Sequence, residues 1–369
     1  MLIHHLPGGD AIHHYKKSIV VMFSGERHVL STGPNNGGYR EDLQAVFNRD
    51  DNPGPGMACV MKDDTYEGHM NLVALEDLGL DPGRCTGLCT AASMKNASIQ
   101  MLTYRDLVVT AIVTAGIEHN GGRAGDPATF HEENGHFFML PSEDGSGEQI
   151  PGTINTILHI NANLDPGTLA RTIMTATEAK TAVLQELMAR SHNSGGLATG
   201  SGTDGIISIC NPESSLKLTN AGKNSKLGEL IGKTVMAATR EALFRQSGLC
   251  PDRQRDVLRI LGRFGIDEDI LWINYRESAG DCGNVSKAEF IDRLDRWKGS
   301  SEAVVTAYLL AQLVDLKSWG HICQEEMDDG IGKLIGIRVP GEKAVEGMVR
   351  WIISEIAGKK AGRKKERER

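Results

Sequence analysis

Gly152–Leu164 reads GTINTILHINANL, and it is followed by TATEAK at Thr175–Lys180 and ATGSGTDG at Ala198–Gly205. In the first stretch Thr153, Asn155, Ile157, His159, Asn161 and Asn163 fall on one face of a strand. Ile154, Leu158, Ile160, Ala162 and Leu164 fall on the other. Asp165-Pro166 then supplies an N-cap and a proline at the first helical position. A helix to about Arg190 follows, with Leu169, Ile173, Ala176, Leu184 and Leu187 as its apolar stripe. A Gly/Thr-rich turn leads into the apolar strand Ile206–Cys210. Strand, helix, turn and strand in this order predict an α/β (or α+β) fold, a layered sheet-and-helix domain.

Outward from this unit, Ser18–Phe23 and Arg27–Ser31 read as strands of a hairpin turning at Ser24-Gly25-Glu26. The loop Thr32–Tyr39 follows, then a short helix over Glu41–Asn48 and a Pro/Gly/Asp loop over Asn48–Gly56. Asn71–Leu78 reads as a helix stopped at Gly79, and Ala97–Thr103 and Leu107–Ala115 as strands. Gly116–Pro127 is a loop, Ser142–Gly147 a polar surface turn, Asn220–Ser225 a loop and Leu227–Gln246 a second long helix. Beyond Gly248 the β-branched runs thin out. Pro251–Gly265, Lys287–Lys298, Ser301–Leu316 and Gly341–Ala357 have helical period. The expected division is residues 1–247, a smaller, mainly helical domain at 248–357, and a basic, disordered tail at 358–369. Strand order is not readable from the pattern.

The chain has 369 residues, 40% hydrophobic and 24% charged, values of a globular protein that can bury a large core. A net charge of −8 argues against nucleic acid as a partner. No apolar run approaches the roughly 20 residues of a membrane span. The opening MLIHHLPGGDAIHHYKK lacks the apolar core of a signal peptide. Seven scattered cysteines suit free thiols in a reducing cytoplasm, and Cys85 and Cys89 read as structural thiols. His4, His5, His13 and His14 are assigned to a solvated, partly mobile N-terminus.

Four groups of residues could carry chemistry. Ala198–Gly205 packs Thr199, Gly200, Ser201, Gly202, Thr203 and Asp204 into one turn, offering hydroxyls, a carboxylate and backbone N–H groups for an anion. In the helix, Glu178 and Lys180 are two residues apart and do not share a face. The polar strand face, with Asn155, His159, Asn161 and Asn163, either satisfies neighbouring backbone or orients a substrate. A fourth group, Asn120, Arg123, Asp126, His131 and Glu132, lies in a loop after a strand. Its spacing matches no strong metal motif. No metal ligand is assigned, although a divalent metal is left open.

These pieces together resemble the adenosylcobinamide amidohydrolase family. The resemblance rests on LSTGPNNGG at Leu30–Gly38, GGRAGDPA at Gly121–Ala128, GTIN at Gly152–Asn155, TATEAKTA at Thr175–Ala182, ATGSGTD at Ala198–Asp204 and SKLGELIG at Ser225–Gly232. The motifs run in the family's order over residues 18–247. Ser201 stands where the family more often has Thr, and both carry a hydroxyl. The resemblance implies a corrinoid-salvage hydrolase that cuts the amide joining aminopropanol to a corrin propionate of adenosylcobinamide, giving adenosylcobyric acid for cobamide synthesis. The cobalt corrinoid is then a substrate, and no cofactor is expected.

Amide hydrolysis needs a nucleophile, an oxyanion site and an acid for the leaving amine. The expected catalytic residues are Glu178 or Asp204 to activate water, or Thr203 to attack directly, and His159 or Lys180 to protonate the amine. Asn36, Gly37, Gly38, Arg123, Asp126, Asn155, Asn161, Asn163, Thr199, Gly200, Ser201 and Gly202 are the expected substrate-binding residues, with Thr32–Tyr39 and Gly116–Phe130 as cleft walls. A cytoplasmic enzyme, compatible with a homo-oligomer, is expected. The competing readings are a corrinoid carrier without turnover and an amidase for another substrate.

Overall fold

The computed structural model describes residues 1–54, 60–133, 136–140, 152–279, 285–336 and 344–356. The expected turn Ser142–Gly147 and the basic tail 358–369 lie outside them. The chain divides into two compact units, Met1–Cys250 and Pro251–Arg369.

In the first unit, strands β1 (Leu2–His5), β2 (Ala11–Tyr15), β3 (Ser18–Met22), β4 (His28–Ser31), β5 (Gly38–Arg40) and β6 (Ala45–Asp50) precede helix α1 (Tyr66–Leu72). Next come β7 (Cys85–Thr90), β8 (Ser98–Tyr104), β9 (Leu107–Ala115), β10 (Phe130–Glu133), β11 (His136–Met139), β12 (Ile154–Ile160) and β13 (Asn163–Leu164). Helix α2 (Pro166–Glu186), β14 (Gly205–Cys210), β15 (Lys217–Leu218) and α3 (Lys226–Ser247) complete the unit. Two sheets result, in the orders β1-β2-β3-β6-β7 and β5-β4-β14-β12-β9-β8.

Side-chain alternation assigns the layers. Ile19, Val21, Val46 and Leu88 of the first sheet meet Ile112, Ile157, Ile207 and Ile209 of the second. On the outer face of the first sheet, Val20, Phe47 and Cys85 pack on Met70, Val73 and Ala74 at α1 and the π-helical turn that continues it. On the outer face of the second, Val109, Ala111, Leu158 and Ile160 pack on α2 and α3 through Leu169, Val183, Ile231 and Val235. The order is therefore helix, sheet, sheet, helices. Both long helices are capped as their sequences require: Asp165 accepts from Thr168 N–H at 2.8 Å and Ser225 from Gly228 N–H at 3.0 Å.

Several expectations change. The strands at Ser18–Met22 and His28–Ser31 are not a hairpin, because they belong to different sheets. Arg27 between them is buried, with its Nε and Nη2 each donating to Asp10 at 2.9 Å, so the chain crosses between layers there. The tight turn lies instead at Lys16-Lys17, where positive φ angles of 42° and 60° suit the twist of a two-residue hairpin. The N-terminus is not a loose end: β1 and β2 form the edge of the first sheet, with His4 and His5 exposed on it.

Glu41–Asn48 is not a helix. Ala45–Asp50 pairs antiparallel with β3 and parallel with β7, and its apolar run serves two faces at once. The helix expected to reach Arg190 ends at Glu186, and Arg190 then pairs with Leu197.

The second unit holds α4 (Val257–Leu261), α5 (Glu268–Ala279), α6 (Lys287–Lys298), α7 (Ser301–Ser318), α8 (Gln324–Ile335) and α9 (Ala344–Ile356). Pro251–Gly265 is thus a short helix between 3₁₀ turns, while α5 and α8 were not anticipated. Phe290, Leu310, Ile331 and Ile352 are among its core. No helix of the described residues is long and apolar enough to cross a membrane.

Candidate active site

β12 and β14 run parallel and begin side by side, Asn155 opposite Gly205. The turn Ala198–Asp204 enters β14 at that end. It is held from below by α2: Thr181 Oγ1 donates to Thr199 O at 3.2 Å and Gln185 Nε2 to Ala198 O at 2.9 Å. From the side it is held by the loop after β9. There Gly122 N–H donates to Gly200 O at 2.9 Å and Ala124 N–H to Thr199 Oγ1 at 2.9 Å.

Asp204 organises this turn. Its Oδ1 accepts from Ile154 N–H at 3.0 Å, Ser201 N–H at 3.2 Å and Ser201 Oγ at 2.7 Å. Its Oδ2 is paired with the Lys180 ammonium. The two side chains are 13% and 17% exposed, so the pair sits at the rim and not in the core. A β-carbon at Gly200 would stand 2.2 Å from Asp204 Oδ2 and 2.9 Å from Lys180 Nζ, so only glycine leaves room for the pair.

Above the pair, Thr203 is exposed, and its Oγ1 lies 3.2 Å from Ser201 Oγ and 3.1 Å from Gly152 O. The hydroxyls of Thr203 and Ser201 and the carboxylate of Asp204 form one hydrogen-bonded line ending at Lys180. The N–H groups of Thr199 and Gly200 are spent on Gly122 O, which removes Gly200 as an oxyanion donor. Within the turn, the N–H groups of Gly202 and Asp204 donate to no described residue.

Two expected catalytic residues stand apart. Glu178 is 54% exposed and pairs with Lys223 at 2.8 Å, in a cleft of about 290 Å³ also lined by Arg171 and Ser225. The 200° between adjacent-but-one positions on a helix separates it from Lys180. His159 is buried between the sheets, its Nε2 2.9 Å from Asp10 Oδ2. It lies four residues further along β12 than Asn155, or roughly 13 Å by strand rise.

The rest of the polar strand face is structural in the same way. Asn155 donates to Asn48 Oδ1 at 2.9 Å and to Cys89 O at 2.8 Å, and accepts from Gly205 N–H. Asn161 bonds the backbone of Asp106 and Val108, and Asn163 that of Pro212. These amides join layers and loops: Asn155 and Asn161 have both polar atoms taken up by neighbours, and Asn163 its amide nitrogen.

Of the walls, Thr32 meets the start of β14 just beyond the turn, accepting from Ile206 N–H at 2.9 Å. Asn36 does not, since its amide donates to Pro82 O and Cys85 O and accepts from Arg40. Gly37 and Gly38 shape that loop: a β-carbon at Gly37 would lie 2.5 Å from Gly33 O, and Gly38 has φ of 84°. Asp126 accepts from Arg123 N–H at 2.7 Å and Ser191 Oγ at 2.5 Å. Burial would raise its carboxyl, but the hydroxyls of Ser191 and Ser194 and the Arg123 N–H hold it below the usual range. Arg123 and Asp126 thus brace the loop that carries Gly122.

Among the described residues no group of three or more His, Cys, Asp or Glu side chains could hold a metal. Cys85 is a free thiol pushed up to about 12 by burial, which makes it unreactive.

The profile of the adenosylcobinamide amidohydrolase family matches residues 3–251. The chain belongs to this family. It is also 34% identical over 232 residues to the uncharacterized protein MJ1613 of Methanocaldococcus jannaschii, covering 62% of this chain and 87% of that one. The PH0078 protein from Pyrococcus horikoshii, a crystal structure, aligns with a TM-score of 0.32 and 12% identity over 72% of this chain and 90% of its own.

An adenosylcobinamide amidohydrolase is by its family name a hydrolase of an amide. The motifs behind the resemblance have a spatial logic in this family member. Gly121–Ala128, Gly152–Asn155 and Thr175–Ala182 all bond to the Ala198–Asp204 turn, and Leu30–Gly38 bonds through Thr32 to the strand that follows it. Ser225–Gly232 caps α3 across from Glu178. Sequence reasoning missed Thr181 and Gln185 as supports. Their spacing of four sets them one turn apart on α2, which shows that they share a face but not that the face meets the turn.

Proposed function

We propose that the protein hydrolyses the amide linking aminopropanol to the corrin propionate of adenosylcobinamide, giving adenosylcobyric acid, with Thr203 as the nucleophile. The observation that carries this reading is the unbroken line from the exposed Thr203 hydroxyl through Ser201 to Asp204 and Lys180. Thr203 Oγ1 attacks the amide carbon. Its proton passes to Ser201 Oγ while the Ser201 proton passes to Asp204, and the N–H groups of Gly202 and Asp204 receive the oxyanion. Lys180 gives a proton to the departing nitrogen, the C–N bond breaks, and the proton on Asp204 returns to Lys180 across their shared hydrogen bond. Water then attacks the Thr203 ester, the acid leaves, and the water's second proton restores the hydroxyl. A cytoplasmic place in corrinoid salvage is part of this reading.

Incubation with adenosylcobinamide followed by mass spectrometry tests it. Adenosylcobyric acid and free aminopropanol are expected in equal amounts. Corrinoid binding with neither product would leave a carrier, and hydrolysis of other amides alone would leave a different amidase.

A further inference from the structure

The two open N–H groups of the catalytic turn belong to two peptide planes. The N–H of Gly202 shares a plane with the carbonyl of Ser201, and the N–H of Asp204 with the carbonyl of Thr203. Neither N–H donates to a described residue. Both carbonyls, by contrast, accept a hydrogen bond. Ser201 O accepts from Thr203 N–H at 2.9 Å, a bond made within the turn. Thr203 O accepts from outside it, from Thr153 Oγ1 at 2.7 Å.

Thr153 is 3% exposed and stands just before β12. The peptide that follows it is pinned at both edges. Thr153 O accepts from Gly116 N–H at 3.0 Å, and Ile154 N–H donates to Asp204 Oδ1 at 3.0 Å. Branching at the β-carbon leaves the side chain few rotamers. Its hydroxyl is therefore a fixed donor on the sheet, set against a turn of three glycines and hydroxyl side chains. Two effects on the Thr203–Asp204 peptide follow. In a trans peptide the N–H points opposite to the C=O, so a carbonyl tied to Thr153 sends the Asp204 N–H away from it. A hydrogen bond on the carbonyl also polarises the plane and strengthens its N–H as a donor, on the order of 10–30% per bond in such chains.

We propose that Thr153 is a positioning residue for the hydrolysis, aiming and strengthening the Asp204 N–H of the oxyanion site through the Thr203 carbonyl. The inference rests on the hydrolase reading and on the oxyanion donors named there. Thr153 touches no reacting atom. It acts on the transition state and not on substrate binding, because the charge that the Asp204 N–H receives exists only there.

The test is steady-state hydrolysis of adenosylcobinamide by the full chain carrying Thr153→Val, which keeps the shape and removes the donor. kcat should fall by about tenfold or more, short of the roughly 10²–10³-fold lost with a whole oxyanion donor, while KM stays within about twofold. No titrating group changes, so the pH profile of kcat should keep its midpoints. Thr153→Ser, which restores the hydroxyl, should recover most of kcat. Thr153→Ala removes the same donor with less bulk, and it should show the same split if the valine variant does not fold. An unchanged kcat without the donor overturns the inference while leaving the hydrolase reading intact. A rise in KM in place of the fall in kcat overturns it as well. So does a shift of the pH midpoints, which would put Thr153 on the proton path of Asp204 and Lys180. A serine variant no better than the valine one would make the role one of packing and also overturn it. No turnover by the unaltered protein overturns the hydrolase reading, and this inference with it.

Discussion

Asp204→Asn is expected to slow adenosylcobinamide hydrolysis by about 10²–10⁴-fold, the range for losing a positioned proton-transfer group. Asn keeps the shape and can still accept from Ile154 and Ser201. It cannot take the Ser201 proton, and it faces Lys180 with an amide in place of a carboxylate. Glu178→Gln is the matched control. Glu178 is half exposed and paired with Lys223, so its rate should stay within about twofold, as for surface changes away from the chemistry. Measured kcat values for the two variants check both statements. A large loss at Glu178 with none at Asp204 would move the chemistry to the cleft between α2 and α3.

Asp10→Asn is expected to cost about 3–5 kcal/mol of folding stability, measured by denaturant unfolding. Asp10 and Arg27 are fully buried between the sheets, and His159 is 1% exposed against them. Removing the carboxylate takes away the only buried charge facing the guanidinium and leaves it the exposed carboxylate of Glu213 as its ion partner. Burial pushes the Asp10 carboxyl up, but His159, the Ser24 N–H and Arg27 together hold it below its ordinary 3.8. A carboxyl depressed in the folded state stabilises the fold above its unfolded pKa. The contribution of Asp10 should therefore be whole near neutrality and fade as pH falls below about 4. The stability gap between the two proteins should narrow in the same window.

The parts of the fold legible in the sequence are those where one local signal suffices. β9, β12 and β14 announce themselves by β-branched runs and alternation, and α2 and α3 by Asp165-Pro166 and Ser225 caps with apolar stripes. β6 was not legible because AVFNRD is buried on both faces and shows no alternation. The crossing at Arg27 was not legible because its partner, Asp10, lies 17 residues away and a buried arginine looks like a surface one in sequence. The same limit governs the site. The Gly/Thr turn is visible in its composition, and Lys180 and Asp204 were both named. That His159 belongs to Asp10, 149 residues distant, is a fact of layer packing and not of local pattern.

One measurement reaches the centre of this account: acid quenching during a single turnover of adenosylcobinamide, followed by peptide mass mapping. The peptide containing Thr203 should carry the adenosylcobyryl group as an ester, and the ester should be absent from Thr203→Val, which should form no product on that timescale. Product formation by Thr203→Val at the unaltered rate, with no acylated peptide in either protein, would contradict the assignment of Thr203 as nucleophile.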